Sequence, residues 1–182
     1  SKAILQPMGA SAAHKARVDT YTEVSIDEVR PDGLIRVTWG KREFTALVEV
    51  KTGNNKLDKD QIKAYIKSAR KANYDHVITI SNEIASAGTH PVQGLGVPKN
   101  SLVQVSHLSW ASILSTALRL KNYKGVDDPE QAWILGELVR YLQHDASGVL
   151  SFGDMGGSWT TIRDSARTGE LSRRTEGLKD VA

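Results

Sequence analysis

Phe44-Thr45-Ala46-Leu47-Val48-Glu49-Val50-Lys51 is the stretch that decides how this chain folds. Side chains of an extended strand point to opposite faces with period two. Phe44, Ala46, Val48 and Val50 then make one apolar face, and Thr45, Leu47, Glu49 and Lys51 make the other. Glu49 and Lys51 project to the same side, at the end of a strand whose start reads as core. A carboxylate and an ammonium in such a place call for a partner or a purpose, because isolated charges are costly to bury. The plain alternative is a solvated pair on an edge strand, worth little energetically.

Residues 34–39 read as the partner strand, joined through the hairpin connection Gly40-Lys41-Arg42-Glu43. Residues 18–26 carry Val, Thr, Tyr and Ile and read as a first strand. Pro31-Asp32-Gly33 between them is a turn signal. After Lys51, Thr52-Gly53-Asn54-Asn55 breaks the strand. A helix is predicted over residues 58–72, because Ile62, Tyr65, Ile66 and Ala69 recur at spacings of three and four. Residues 76–80 and 102–105 read as two further strands, with a Gly- and Pro-rich loop over 88–100 between them. Helices are predicted over 109–120 and 128–144, the second opened by an Asp cap and Pro129, and a short one over 159–167. This order predicts an α/β fold with a mixed central sheet flanked by helices. Residues 1–145 read as the domain, and 146–182 as a polar extension, weakly ordered or a linker.

The 182 residues are 40% hydrophobic and 25% charged, which suits one globular domain. No apolar run has the length of a membrane span, and no apolar stretch near the start reads as a signal peptide. The chain contains no Cys, which excludes disulfides and thiolate metal sites and fits a cytoplasmic setting. It opens on Ser and closes in a charged segment, as a piece of a longer protein would. Net charge is +3, but residues 36–71 hold ten Lys or Arg against four Asp or Glu, a local balance of +6. A basic stretch around an acidic pair suits a phosphate backbone, and a solvated helix face is the ordinary alternative.

Phosphodiester hydrolysis needs such a set of groups. Carboxylate oxygens suit Mg²⁺ or Mn²⁺. Asp32 lies just before the partner strand, so the hairpin can bring it across from Glu49. Those two carboxylates and the Val50 main-chain carbonyl are the expected metal ligands. Lys51 could then orient a water and offset charge in the transition state.

Pro31-Asp32, a gap of sixteen residues, then Glu49-Val50-Lys51 resembles the PD-(D/E)xK nuclease superfamily. Gln61 and Tyr65 on the next helix look like the Q-x-x-x-Y element of its RecB-like and Cas4-like branches. The resemblance covers about residues 17–107. It implies a restriction-endonuclease-like core, DNA as partner, and Asp32, Glu49, Lys51 and Gln61 as catalytic residues. It also implies that Tyr65 helps place the nucleic-acid backbone; Lys56, Lys59 and Lys63, from the basic stretch, are expected to meet its phosphates. Many members add a Glu from a helix before the first strand, whereas here no acidic residue precedes Asp19. Gln61 is equally suited to a capping box with Asp58, and Tyr65 to a place in the core. A non-catalytic nucleic-acid-binding module of the same fold, or an interaction or sensor domain, are the competing functions. The histidines show no metal-ligand spacing, and Trp110, Trp133 and Trp159 are expected to pack.

Overall fold

The computed structural model describes residues 16–85, 89–98 and 100–149, together with Leu5, Met8, Gly9, Ser165, Thr168, Gly169 and Ser172. Five strands form one sheet in the order β1-β2-β3-β4-β5: β1 (Arg17–Thr22), β2 (Gly33–Trp39), β3 (Arg42–Val50), β4 (His76–Ser81) and β5 (Gln104–Ser109). The first three form an antiparallel meander, whereas β4 pairs parallel to β3 and β5 parallel to β4. The protein is therefore an α/β fold with a mixed sheet. A parallel neighbour needs a crossover, and α1 (Lys59–Lys71) supplies it between β3 and β4. Two more helices, α2 (Trp110–Arg119) and α3 (Pro129–Leu142), follow β5.

The alternation in β3 builds both sides of the core. Leu47 joins Leu34, Val77 and Val103 under Ile62, Tyr65, Ile66 and Ala69 of α1. Phe44, Ala46 and Val48 join Val37, Ile78 and Leu5 on the opposite face. The outer row of α1, Lys59, Lys63, Lys67 and Arg70, is exposed. Asp58 caps this helix, its carboxylate accepting from the Gln61 N–H at 2.7 Å, an arrangement worth about 1 kcal/mol.

Several expectations need correction. The first strand ends at Thr22, because Glu23 takes a positive φ of 52° and leaves the ladder, its N–H donating to the Asp32 carbonyl at 3.1 Å. Ile26 and Val29 then form a small isolated bridge. The last strand is Gln104–Ser109 rather than 102–105, since parallel register with β4 runs from His76–Gln104 to Ser81–Ser109. Its polar residues hide that strand from any propensity argument. β3 lies between β2 and β4, as the core-like reading of that strand expects, and the alternative of a solvated pair on an edge strand falls. Trp133 does not pack: it is 67% exposed. The start of the 146–182 segment makes main-chain contacts with the domain. A 3₁₀ turn at Asp145–Ser147 leads to Gly148, whose carbonyl accepts from the Gly53 N–H at 2.7 Å and from the Asn82 amide at 2.8 Å. The helix predicted over 159–167 falls almost wholly outside the described residues.

Candidate functional site

The site forms where β2 starts and β3 ends. The β2–β3 register pairs Gly33 with Val48, so one step further Asp32 stands opposite Glu49. Opposed residues share a face, and this is the face that α1 covers. Main-chain pairing stops there, and a side chain takes over: the Val50 N–H donates to Asp32 Oδ2 at 2.7 Å. In an extended strand the N–H and C=O of one residue point to the same edge. The Val50 carbonyl therefore points to the β2 side of β3.

Glu49 is 2% exposed and both of its oxygens are held. Oε1 accepts from the Lys51 ammonium at 2.6 Å, and Oε2 from the Tyr65 hydroxyl at 2.8 Å. The Tyr65 oxygen in turn accepts from Gln61 Nε2 at 2.9 Å. A hydroxyl has one proton to give, so the longer approach of Tyr65 to the Arg30 carbonyl, 3.4 Å, is secondary. Burial pushes the Tyr65 hydroxyl up from its ordinary pKa, and the Glu49 carboxylate adds to the shift. Tyr65 is therefore a proton donor to Glu49 throughout the neutral range. The Gln61 side chain does not close a capping box: its amide donates to Tyr65, and only its main-chain N–H meets the Asp58 cap. Tyr65 is both core and site.

Lys51 is fixed through its backbone. Its N–H donates to the Ile80 carbonyl at 2.8 Å, and its carbonyl accepts from the Trp110 indole at 2.9 Å. Trp110, the first residue of α2, thus holds the end of β3, a role no spacing in the sequence signals. Glu83 is a second unforeseen support: its carboxylate accepts from the Leu57 N–H at 3.0 Å and ties down the segment leading into α1.

Asp32, Glu49, Val50, Lys51, Gln61 and Tyr65 are thus brought to one place. Lys56, Lys59 and Lys63 are not part of that cluster. They are exposed, on the segment before α1 and on its outer face. Among the described residues no group of three or more acidic or histidine side chains converges. The potential metal ligands are two carboxylates and a main-chain carbonyl. No helix among the described residues is long and apolar enough to cross a membrane. No protein-family model, no curated protein and no solved structure matches this chain.

Proposed function

We propose that this chain is a metal-dependent nuclease with a restriction-endonuclease-like core, hydrolysing phosphodiester bonds in DNA. The observation that carries the reading is Glu49. It is a buried carboxylate, oriented by Tyr65 and Lys51, directly across a strand end from Asp32. A charge is not retained in such a place for stability alone, since a well-packed apolar residue would do as well or better.

The donor set suits a hard divalent ion. Asp32, Glu49 and the Val50 carbonyl would hold Mg²⁺ or Mn²⁺, each offering oxygen. When bound, the metal supplies polarisation of a phosphoryl oxygen and a more acidic water. The protein's own groups do the rest. Tyr65 and Gln61 fix the Glu49 carboxylate. Lys51 presents a positive charge beside it, able to orient a water and to offset charge growing on the phosphate. Lys56, Lys59 and Lys63 extend positive charge outward for the backbone, a sequence-independent attraction.

The competing reading is a nucleic-acid-binding module without turnover. What favours it is the acidic set, limited to two side chains among the described residues. Cleavage assays on single-stranded, duplex and branched DNA with Mg²⁺ or Mn²⁺ separate the two. The nuclease reading expects cleavage that disappears in Glu49→Gln. Binding without cleavage, under either metal, overturns it in favour of the module.

A further inference from the structure

A second polar network lies across β4, β5 and the segment between them, on the same sheet face as Glu49. Thr79 is fully buried and pairs in register with Glu49 on one side and His107 on the other. Its hydroxyl oxygen lies 2.9 Å from His90 Nε2 and 3.0 Å from His107 Nδ1. The Val92 N–H donates to His90 Nδ1 at 3.0 Å, and His107 Nε2 sits 2.7 Å from the Glu83 carbonyl.

These partners fix every proton. A carbonyl only accepts, so His107 carries its hydrogen on Nε2. A main-chain N–H only donates, so His90 Nδ1 is the bare nitrogen. A neutral imidazole has one N–H. His90 therefore donates through Nε2 to Thr79, and Thr79 donates to the bare Nδ1 of His107. The chain runs one way, from Val92 through His90, Thr79 and His107 to Glu83. The one bare nitrogen on each ring already accepts a hydrogen bond, which argues against this pair as a metal site.

A second proton has unequal consequences on the two rings. If His107 Nδ1 takes it, Thr79 can turn its O–H toward the Ser106 carbonyl at 3.4 Å and accept from both rings. If His90 Nδ1 takes it, the ring N–H meets the Val92 N–H, two donors with no acceptor. That contact must part. Val92 opens the loop wall of a cavity of about 470 Å³, completed by Leu95 and Val97 and faced by Val105 and His107 of β5. With both rings neutral, no charged side chain lines this cavity.

We propose that His90 is an acid-operated latch on this cavity: neutral, it ties the Val92 N–H to a ring anchored on Thr79 of β4; doubly protonated, it releases Val92 and gives the cavity a positive charge. The groups that face it set the threshold. Burial holds His90 below the usual histidine pKa, with His107 across Thr79 adding to the effect, while Glu83 after β4 pulls the other way. From α1, the Lys59 ammonium lies over the same segment, where a Cβ on Gly94 would come within 2.8 Å of it. The latch is independent of the nuclease reading.

The test is NMR on the full chain. Two-bond ¹H–¹⁵N spectra should show Nε2–H tautomers for both rings at neutral pH. Exchange protection of the Val92 amide, corrected for intrinsic pH dependence, should fall about tenfold or more as His90 titrates, the scale of one lost buried hydrogen bond. His90→Asn keeps an acceptor, since an Asn side chain can accept from the N–H two residues on. That variant should hold Val92 protected without the pH step. An Nδ1–H tautomer at His90, flat Val92 protection while His90 titrates, or the same step in His90→Asn would each overturn the latch.

Discussion

Tyr65→Phe removes one oxygen and leaves the ring. Tyr65 is 3% exposed and packs with Ile62 and Ile66 in the core under α1, contacts that Phe keeps. What is lost is the donor to Glu49 Oε2 at 2.8 Å, in a carboxylate 2% exposed. A hydrogen bond to a charged group contributes about 1.5–3 kcal/mol, and a buried acceptor left unmet costs on the same scale. The expected loss of stability is thus about 2 kcal/mol. In a domain of this size that lowers the melting temperature by about 4–8 °C. Denaturant unfolding of wild type, Tyr65→Phe, Glu49→Leu and the double variant closes a cycle that isolates the pair. A coupling of about 1 kcal/mol or more is expected for groups in direct contact. If Tyr65→Phe costs under about 0.5 kcal/mol, the level of an ordinary surface change, and the coupling vanishes, then Tyr65 does not hold Glu49.

Acid should weaken the fold through its buried histidines. Burial lowers the pKa of His76, His90 and His107 in the folded protein. Below about pH 6.5 the unfolded chain takes up protons that the folded one refuses. Their contribution is therefore full above that value and declines as pH falls toward the folded-state pKa values; chemical denaturation at pH 7.5 and 5.5 should show the drop, and equal stability would contradict the burial argument. Gly148→Ala should cost about 1–3 kcal/mol. Its φ is +69°, and a Cβ there would lie 3.1 Å from both the Gly53 nitrogen and Thr52 Cβ; a neutral result in a thermal melt would mean the 148 segment is not docked on the strand end. Lys63→Ala should weaken DNA binding alike for all sequences and reduce the salt slope by about one unit. Loss confined to one sequence would exclude a phosphate contact.

Much of this was legible because it is local. Period two in residues 44–51 places Glu49 and Lys51 together and assigns both core faces. The turn at Pro31-Asp32-Gly33 puts Asp32 one step before β2, and Asp58 with the spacing of Ile62, Tyr65 and Ile66 fixes α1. What stayed hidden depends on long-range register. Whether β3 is central or at an edge is decided by the parallel pairing with β4. The Thr79, His90 and His107 chain joins two strands and a loop that share no sequence signal. The Trp110 indole reaches back to the Lys51 carbonyl across fifty-nine positions. β5 departs from the expected 102–105 because Gln104, Ser106 and His107 lack strand propensity, and pairing with β4 overrides it. Glu23 ended β1 early through a backbone conformation that its side chain does not announce.

Lys51 is expected to act on chemistry rather than only on binding, and a paired measurement separates the two. Cleavage rate and DNA affinity are measured for wild type, Lys51→Ala and Lys51→Arg with Mg²⁺ or Mn²⁺ present. An interaction that strengthens in the transition state lowers turnover more than affinity. Lys51→Ala should reduce turnover by about 10²-fold or more, the scale for losing one acid–base or electrostatic group. DNA affinity should fall far less, because the exposed Lys row remains. Lys51→Arg should restore only part of the rate, since a planar guanidinium does not replace a compact ammonium beside Glu49. Equal losses of rate and affinity in Lys51→Ala, or a wild-type protein that binds DNA and never cuts it, would contradict the account.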